Sequence, residues 1–243
     1  MTIELRPPRP EEEAPLRDLF TEAFGDRDFT DLFFSAGYSP DRCLAAYDGG
    51  LLAALHWFDC SVKEKKAAYL YGIAAFRACR GRGIGSALIR AALAELKARG
   101  YGSILLVPAE ESLFGYYERL GFRQVGTIRE QVITAGAPVP IRALTAGEYA
   151  EARRSLLPEN AVMQEGPCLE LLSGYARFYA TQHALAAVTD GMVWELLGEL
   201  SQASGLIAAL GLPAATVRSP GPGRPFAMGI GVDGPLYLGL ALD

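Results

Sequence analysis

The sequence predicts an α/β (α+β) fold in two successive halves, and three observations carry that expectation. Short apolar runs alternate with stretches of helical period; a strand, a glycine-rich turn, a helix and a second strand follow one another from Ala67 to Val107; and the opening pattern Leu5-Arg6…Glu12 is echoed by Ile141-Arg142…Glu148. The first two place a mixed sheet with flanking helices in the first half. The third suggests that the second half repeats the plan.

The elements follow in order. Ile3 to Arg6 reads as a short strand, and Glu11 through Phe24 carries Leu16, Leu19, Phe20 and Ala23 at helical spacing. From Arg42 to Asp59, two apolar runs flank the turn signal Asp48-Gly49-Gly50, and a third strand is expected from Ala67 to Phe76. A helix from about Ile84 to Arg99 ends at Gly100, a natural C-terminal stop, and Ser103 to Val107 is a buried strand. A short helix around Ser112 to Leu120 ends at Gly121, and Phe122 to Ile133 reads as one further strand. The Pro-, Gly- and Ala-rich segment Ala135 to Pro140 is the expected boundary, dividing the chain into residues 1–137 and 138–243. Beyond it, strand-like Ala184 to Thr189, the turn Asp190-Gly191, strand-like Met192 to Leu197 and a helix from Gln202 to Leu210 repeat the earlier order.

Composition narrows the function. At 243 residues the chain can bury a substantial core. Apolar runs such as Leu51 to Leu55 and Ile104 to Val107 are far too short for a membrane span, and Met1 to Pro8 lacks the pattern of a signal peptide, so a cytoplasmic protein without membrane partners is expected. Cys43, Cys60, Cys79 and Cys168 are scattered and only His56 and His183 accompany them, so no metal site is expected. A net charge of −5 argues against a nucleic-acid partner and suits a cationic substrate. All four lysines lie in the first half.

Chemistry concentrates in Arg80-Gly81-Arg82-Gly83-Ile84-Gly85-Ser86, between an expected strand and an expected helix. Backbone N–H groups and the helix dipole converge there on an anion, glycine lets the backbone approach a pyrophosphate, and the arginines add charge-assisted donors. The segment has no Gly-Lys-Ser/Thr ending for a P-loop, and Ser86 stands where a dinucleotide fingerprint needs glycine. The bland alternative is a tight turn with solvated arginines.

Arg80, Gly83 and Gly85 match the acyl-CoA loop pattern Arg/Gln-x-x-Gly-x-Gly/Ala, Tyr69 to Ala75 looks like the strand that precedes it, and Tyr117-Glu-Arg-Leu-Gly-Phe122 resembles the later Tyr-Glu-Lys-Leu-Gly-Phe motif of the GNAT (GCN5-related) N-acetyltransferase superfamily. The resemblance covers residues 3 to 133. Tyr69 to Gly85 together with Leu106 to Phe114 is similar, more narrowly, to the enhanced intracellular survival branch of bacterial acetyltransferases, which has tandem GNAT-like regions of which the second lacks a CoA loop. The resemblance implies a centrally splayed sheet, a catalytic domain in residues 1–137, and a degenerate, noncatalytic GNAT-like domain in 138–243, where Gly198 to Gly205 is a poor substitute for the loop.

It also implies acetyl-CoA as cosubstrate, the pyrophosphate on Arg80, Gly81, Arg82, Gly83, Ile84, Gly85 and Ser86, and the pantetheine arm along Ile73, Ala74 and Ala75 as an added strand. The acceptor would be a small-molecule or peptide amine attacking directly, since the sequence has no persuasive Ser/His/Asp set. Tyr117 is implied as the proton donor to the leaving thiolate, with adjacent Tyr116 as its rival and an aromatic packing anchor as the plain alternative. For a base, Glu110, Glu111 and His56 are open alongside water. The branch also brings a chain-terminal carboxylate to its active site, which singles out Asp243. Aromatic stretches Phe29 to Tyr38 and Tyr175 to Tyr179 are either acceptor lining or core, Pro220 to Pro225 is a flap or a connection, and homo-oligomerisation stays open. A noncatalytic CoA-binding module is the rival class.

Overall fold

Periodicity becomes burial in the first helix, where Leu16, Leu19 and Phe20 form the buried stripe of α1 (Glu13–Phe24). A computed structural model of the chain describes residues 3–241. Contacts divide it into two units: residues 1–106, 110–123 and 229–232 in one, residues 107–109, 124–228 and 233–243 in the other.

In the first unit, β1 (Glu4–Arg6) is followed by α1, a short α2 (Arg27–Leu32), β2 (Cys43–Tyr47), β3 (Leu51–Val62), β4 (Lys65–Ala75), α3 (Ile84–Ala98), β5 (Ser103–Leu106), α4 (Phe114–Glu118) and β6 (Arg123–Gln124). Strands β1 to β4 pair antiparallel in sequence order, and β5 joins β4 in parallel, as a strand returning from a crossover helix must. Period-two alternation dresses the two faces of the sheet. His56 and Phe58 meet Phe33, which stacks on Phe20, while Trp57 between them meets Tyr101 and Arg99 just past α3. Ile84, Leu88, Ile89, Ala92 and Leu96 are the buried stripe of α3.

The strand expected from Phe122 to Ile133 is divided. Arg123–Gln124 closes the first sheet, whereas β7 (Thr127–Thr134) belongs to the second, paired with β13 (Ala214–Pro225). The contact division therefore falls at Arg123/Gln124, ahead of the Pro- and Gly-rich segment 135–140, which lies inside the second unit.

The second unit continues with β8 (Arg142–Leu144), α5 (Ala146–Leu156), β9 (Val162–Gln164), α6 (Pro167–Ser173), β10 (Arg177–Ala180), β11 (Ala184–Thr189), β12 (Met192–Gly198), α7 (Ala203–Ala209) and β13; β14 (Met228–Ile230) then pairs beside β5, and residues 229–232 belong to the first unit. Its sheet runs β8-β10-β11-β12-β13-β7, antiparallel except at β12/β13. That is the order and sense of β1-β2-β3-β4-β5, so the second unit repeats the plan of the first.

The echo seen in the sequence is physical. Arg6 grips Glu12 with two bonds of 2.7 Å, and Arg142 reaches Glu148 at 2.8 Å, six residues apart in both cases. Each glutamate then caps the backbone N–H three residues before it, Arg9 at 2.7 Å and Thr145 at 2.8 Å. Residues Pro220 to Pro225, read as flap or connection, are the irregular end of β13 against β7.

The core of the second unit contains a buried ion pair. Arg153 donates to Glu195 at 2.6 and 3.0 Å, Tyr149 and Tyr237 donate to the same carboxylate at 2.7 and 3.1 Å, and both charged side chains are essentially inaccessible. Gln164 clasps the backbone of Leu240 through both amide atoms, at 2.5 and 3.2 Å, so the segment from Leu236 to Ala241 is core rather than tail. No helix among the described residues is long and apolar enough to cross a membrane.

Candidate active site

The site is built where β4 leaves β5. The two strands pair at Ala67, Ala68 and Tyr69, opposite Ser103, Ile104 and Leu105, while β4 runs on to Ala75 without a partner from β5. On its other side β4 stays with β3 through a bulge, with Gly72 and Ile73 together opposing Leu55. Gly72 holds φ +61°, and a Cβ there would lie 2.5 Å from the Phe20 ring, so α1 packs against bare backbone at this point. The bulge turns the strand just before Ile73, Ala74 and Ala75. Neither the bulge nor the Phe20 contact was read from the sequence; a lone glycine inside a strand pattern is the signal that could have found them.

After β4, a single 3₁₀ turn (Arg77–Cys79) leads into the glycine-rich segment. Arg80 donates from Nε to the Ala75 carbonyl at 3.0 Å, so the loop folds back on the end of the strand. Of the three strand residues singled out, Ala75 thus has its carbonyl already engaged. Gly83 is the N-cap of α3 in the left-handed region, at φ +77°, and nothing approaches within 4 Å of where its side chain would be. The first helical bond is Ala87 N–H to the Gly83 carbonyl at 3.0 Å, and no side chain caps the first turn. The N–H groups of Ile84, Gly85 and Ser86 therefore point off the helix end with the positive end of the dipole behind them. Gly81, Arg82 and Gly83 are exposed beside them.

α4 brings its tyrosines to the same place. The Ser86 hydroxyl donates to Tyr116 Oη at 3.2 Å, and that oxygen lies 3.3 Å from the position of a Cβ on Gly85. Tyr117 packs edge-on against Tyr116 at 5.1 Å and against Phe122 at 5.8 Å, with 7% of its surface exposed. Burial, with a smaller push from Tyr116, raises its phenol to about 12, so it keeps its proton at neutral pH. Tyr117 thus has both the packing of an anchor and the protonation of a donor.

The base candidates separate cleanly. Glu110 and Glu111 are exposed. His56 is fully buried in an aromatic cage of Phe33, Phe58 and Tyr38, with ring separations of 5.3, 5.0 and 6.1 Å, and neither ring nitrogen has a partner. Burial first, and the charge of Arg42 second, lower it to about 3, so it is a neutral core residue. Phe33 and Phe34 of the first aromatic stretch are likewise core. Asp243 lies outside the described residues.

A parallel pair that parts beside an uncapped, glycine-rich helix start can take an extended arm in the gap and an anion at the helix end. The family model described as an acetyltransferase (GNAT) domain matches residues 4–125, half of the chain, and the protein belongs to that family. Solved structures share the fold across both units. A GCN5-related N-acetyltransferase from Anabaena variabilis superimposes with a TM-score of 0.71 at 14% identity, covering 94% of this chain and 72% of that one. A putative acetyltransferase from Pyrococcus horikoshii gives 0.67 at 16%, covering 98% and 92%. Eis1 from Mycobacterium abscessus gives 0.65 at 15%, covering 92% and 66%. Curated proteins give no sequence match.

Proposed function

We propose that the first unit transfers the acetyl group of acetyl-CoA to a primary amine by direct attack in a ternary complex, and that the second unit is a degenerate, noncatalytic copy. The observation that carries this reading is the parting of β4 from β5 after Tyr69, beside three helix N–H groups that no side chain caps.

In this reading the first turn of α3, from Gly83 to Ser86, holds the pyrophosphate through backbone N–H groups, and the exposed Arg80 and Arg82 lie beside it. The pantetheine arm lies along Ile73 and Ala74 as an added strand, with Ala75 fixing the loop through Arg80. Acetyl-CoA supplies an activated thioester. The neutral amine nitrogen forms a bond to the acetyl carbon, the carbon–sulfur bond breaks, and Tyr117 gives its phenolic proton to the departing sulfur. The amine's surplus proton leaves to water, since His56 is enclosed and neutral. Tyr117 regains its proton from solvent before the next turnover.

The test is thiol release from acetyl-CoA across polyamines, aminoglycosides, amino acids and lysine peptides, with Tyr117→Phe alongside. Amine-dependent release is expected, with kcat falling about 10²- to 10⁴-fold in the variant and acetyl-CoA affinity nearly unchanged. Binding without release for any amine would favour a noncatalytic CoA-binding module, and unchanged kcat in the variant would leave Tyr117 as a packing anchor only.

A further inference from the structure

The second unit repeats the plan of the first with a shorter crossover helix. α3 has 15 residues and α7 has 7, so at 1.5 Å per residue they run about 22 and about 10 Å. The longer helix packs over β2, β3 and β4, whereas the shorter one packs chiefly against β7 and β13. α5 packs against β10 and β11 on the face that carries Phe178, and on the opposite face, beside the residues that follow α7, a cavity of about 520 Å³ opens. That size is typical of small-molecule sites, which span roughly 300–1,000 Å³.

Its lining is ordered by strand alternation. Tyr175, Arg177 and Tyr179 are spaced by two along β10 and the residues before it, Asp190 stands at the end of β11, and Leu210 and Leu212 close the side toward α7. Register places Val188 opposite Arg177, and Asp190 follows two residues later in the turn after β11. Yet neither Arg177 nor Asp190 forms an ion pair among the described residues; the guanidinium's hydrogen bond goes to the adjacent Ala176 carbonyl at 3.2 Å. A cation and an anion, both exposed and neither in an ion pair among the described residues, thus share a cavity with two tyrosine rings and two leucines.

We propose that this cavity binds a free α-amino acid with a large apolar side chain, its carboxylate on Arg177, its ammonium on Asp190, and its side chain against Tyr175, Tyr179 and the leucines. A zwitterion answers both charges at once, which a simple acid or a simple amine does not. The aromatic and aliphatic walls select against a small polar side chain. This site is independent of acetyl transfer.

Calorimetric titration of the full chain with L-phenylalanine tests it, beside 3-phenylpropanoate, which lacks the ammonium, and 2-phenylethylamine, which lacks the carboxylate. L-Phenylalanine is expected to bind, each analogue at least tenfold more weakly, and Arg177→Ala and Asp190→Asn each to weaken the amino acid at least tenfold. Both substituted residues are exposed, so the variants should fold. Failure of L-phenylalanine to bind at millimolar concentration, equal binding of either analogue, or binding indifferent to both substitutions, as at an acceptor site in the first unit, would each overturn the proposal.

Discussion

Replacing His56 by phenylalanine should flatten the acid side of the stability profile. The imidazole has no exposed surface, no partner for either nitrogen and three aromatic neighbours, so the folded state admits only its neutral form. Its ordinary value of 6.5 falls to about 3 on folding. Between those values the unfolded chain binds a proton that the folded chain does not, so the group's contribution is fully present above 6.5 and is lost as pH falls toward 3. From pH 7 to pH 5 the loss integrates to about 2 kcal/mol, at 1.36 kcal/mol per unit. Phenylalanine has a similar flat ring and does not titrate, and removing an unpartnered polar group should itself be neutral or stabilising by about 1–3 kcal/mol. Urea unfolding of both proteins at the two pH values measures the difference. A wild-type loss between pH 7 and pH 5 that equals the variant's would refute the reasoning and imply that His56 is protonated or hydrated inside the fold.

Other substitutions probe the remaining features. Gly83→Asp should cost only about 1–2 kcal/mol of stability for the left-handed backbone, because no atom obstructs its side chain; it should still abolish measurable acetyl-CoA binding by calorimetry, while Gly83→Ala, equally strained but uncharged, keeps most of it. Glu195→Ala leaves Arg153 charged and buried and should destabilise by about 3–5 kcal/mol in denaturant titration, far more than the exposed control Glu170→Ala. Glu12, lowered from 4.5 to about 2 by its hydrogen bonds from Arg6, contributes stability that is lost as pH falls through that interval, so Glu12→Gln should melt with a shallower pH dependence there.

Much of the first unit was legible because its signals are local. Helical period marked α1 and α3, the glycines marked the turn between β4 and α3, and the Arg6–Glu12 spacing predicted its own repetition at Arg142–Glu148. What stayed hidden depends on distant residues. Phe122 to Ile133 reads as one run, and only pairing with β13, some 90 residues later, assigns β7 to the other sheet. The Arg153–Glu195 pair spans 42 positions and leaves no periodic trace. Within the candidate site the loop residues were readable as a motif, but the bulge at Gly72 and the Ser86–Tyr116 contact arise from tertiary packing.

The late return of residues 229–232 to the first unit has a consequence for synthesis. A chain emerging from the ribosome reaches Arg123 with β5 still lacking its outer neighbour. At roughly 5–20 residues per second, about a hundred further residues take on the order of 5–20 s to appear. Throughout that interval the nascent sheet presents an unpaired edge, the surface on which neighbouring chains on a polysome can join. Cutting the gene after the motifs of the candidate site would make that exposure permanent, so the minimal expressible unit extends well past the residues that would do the chemistry.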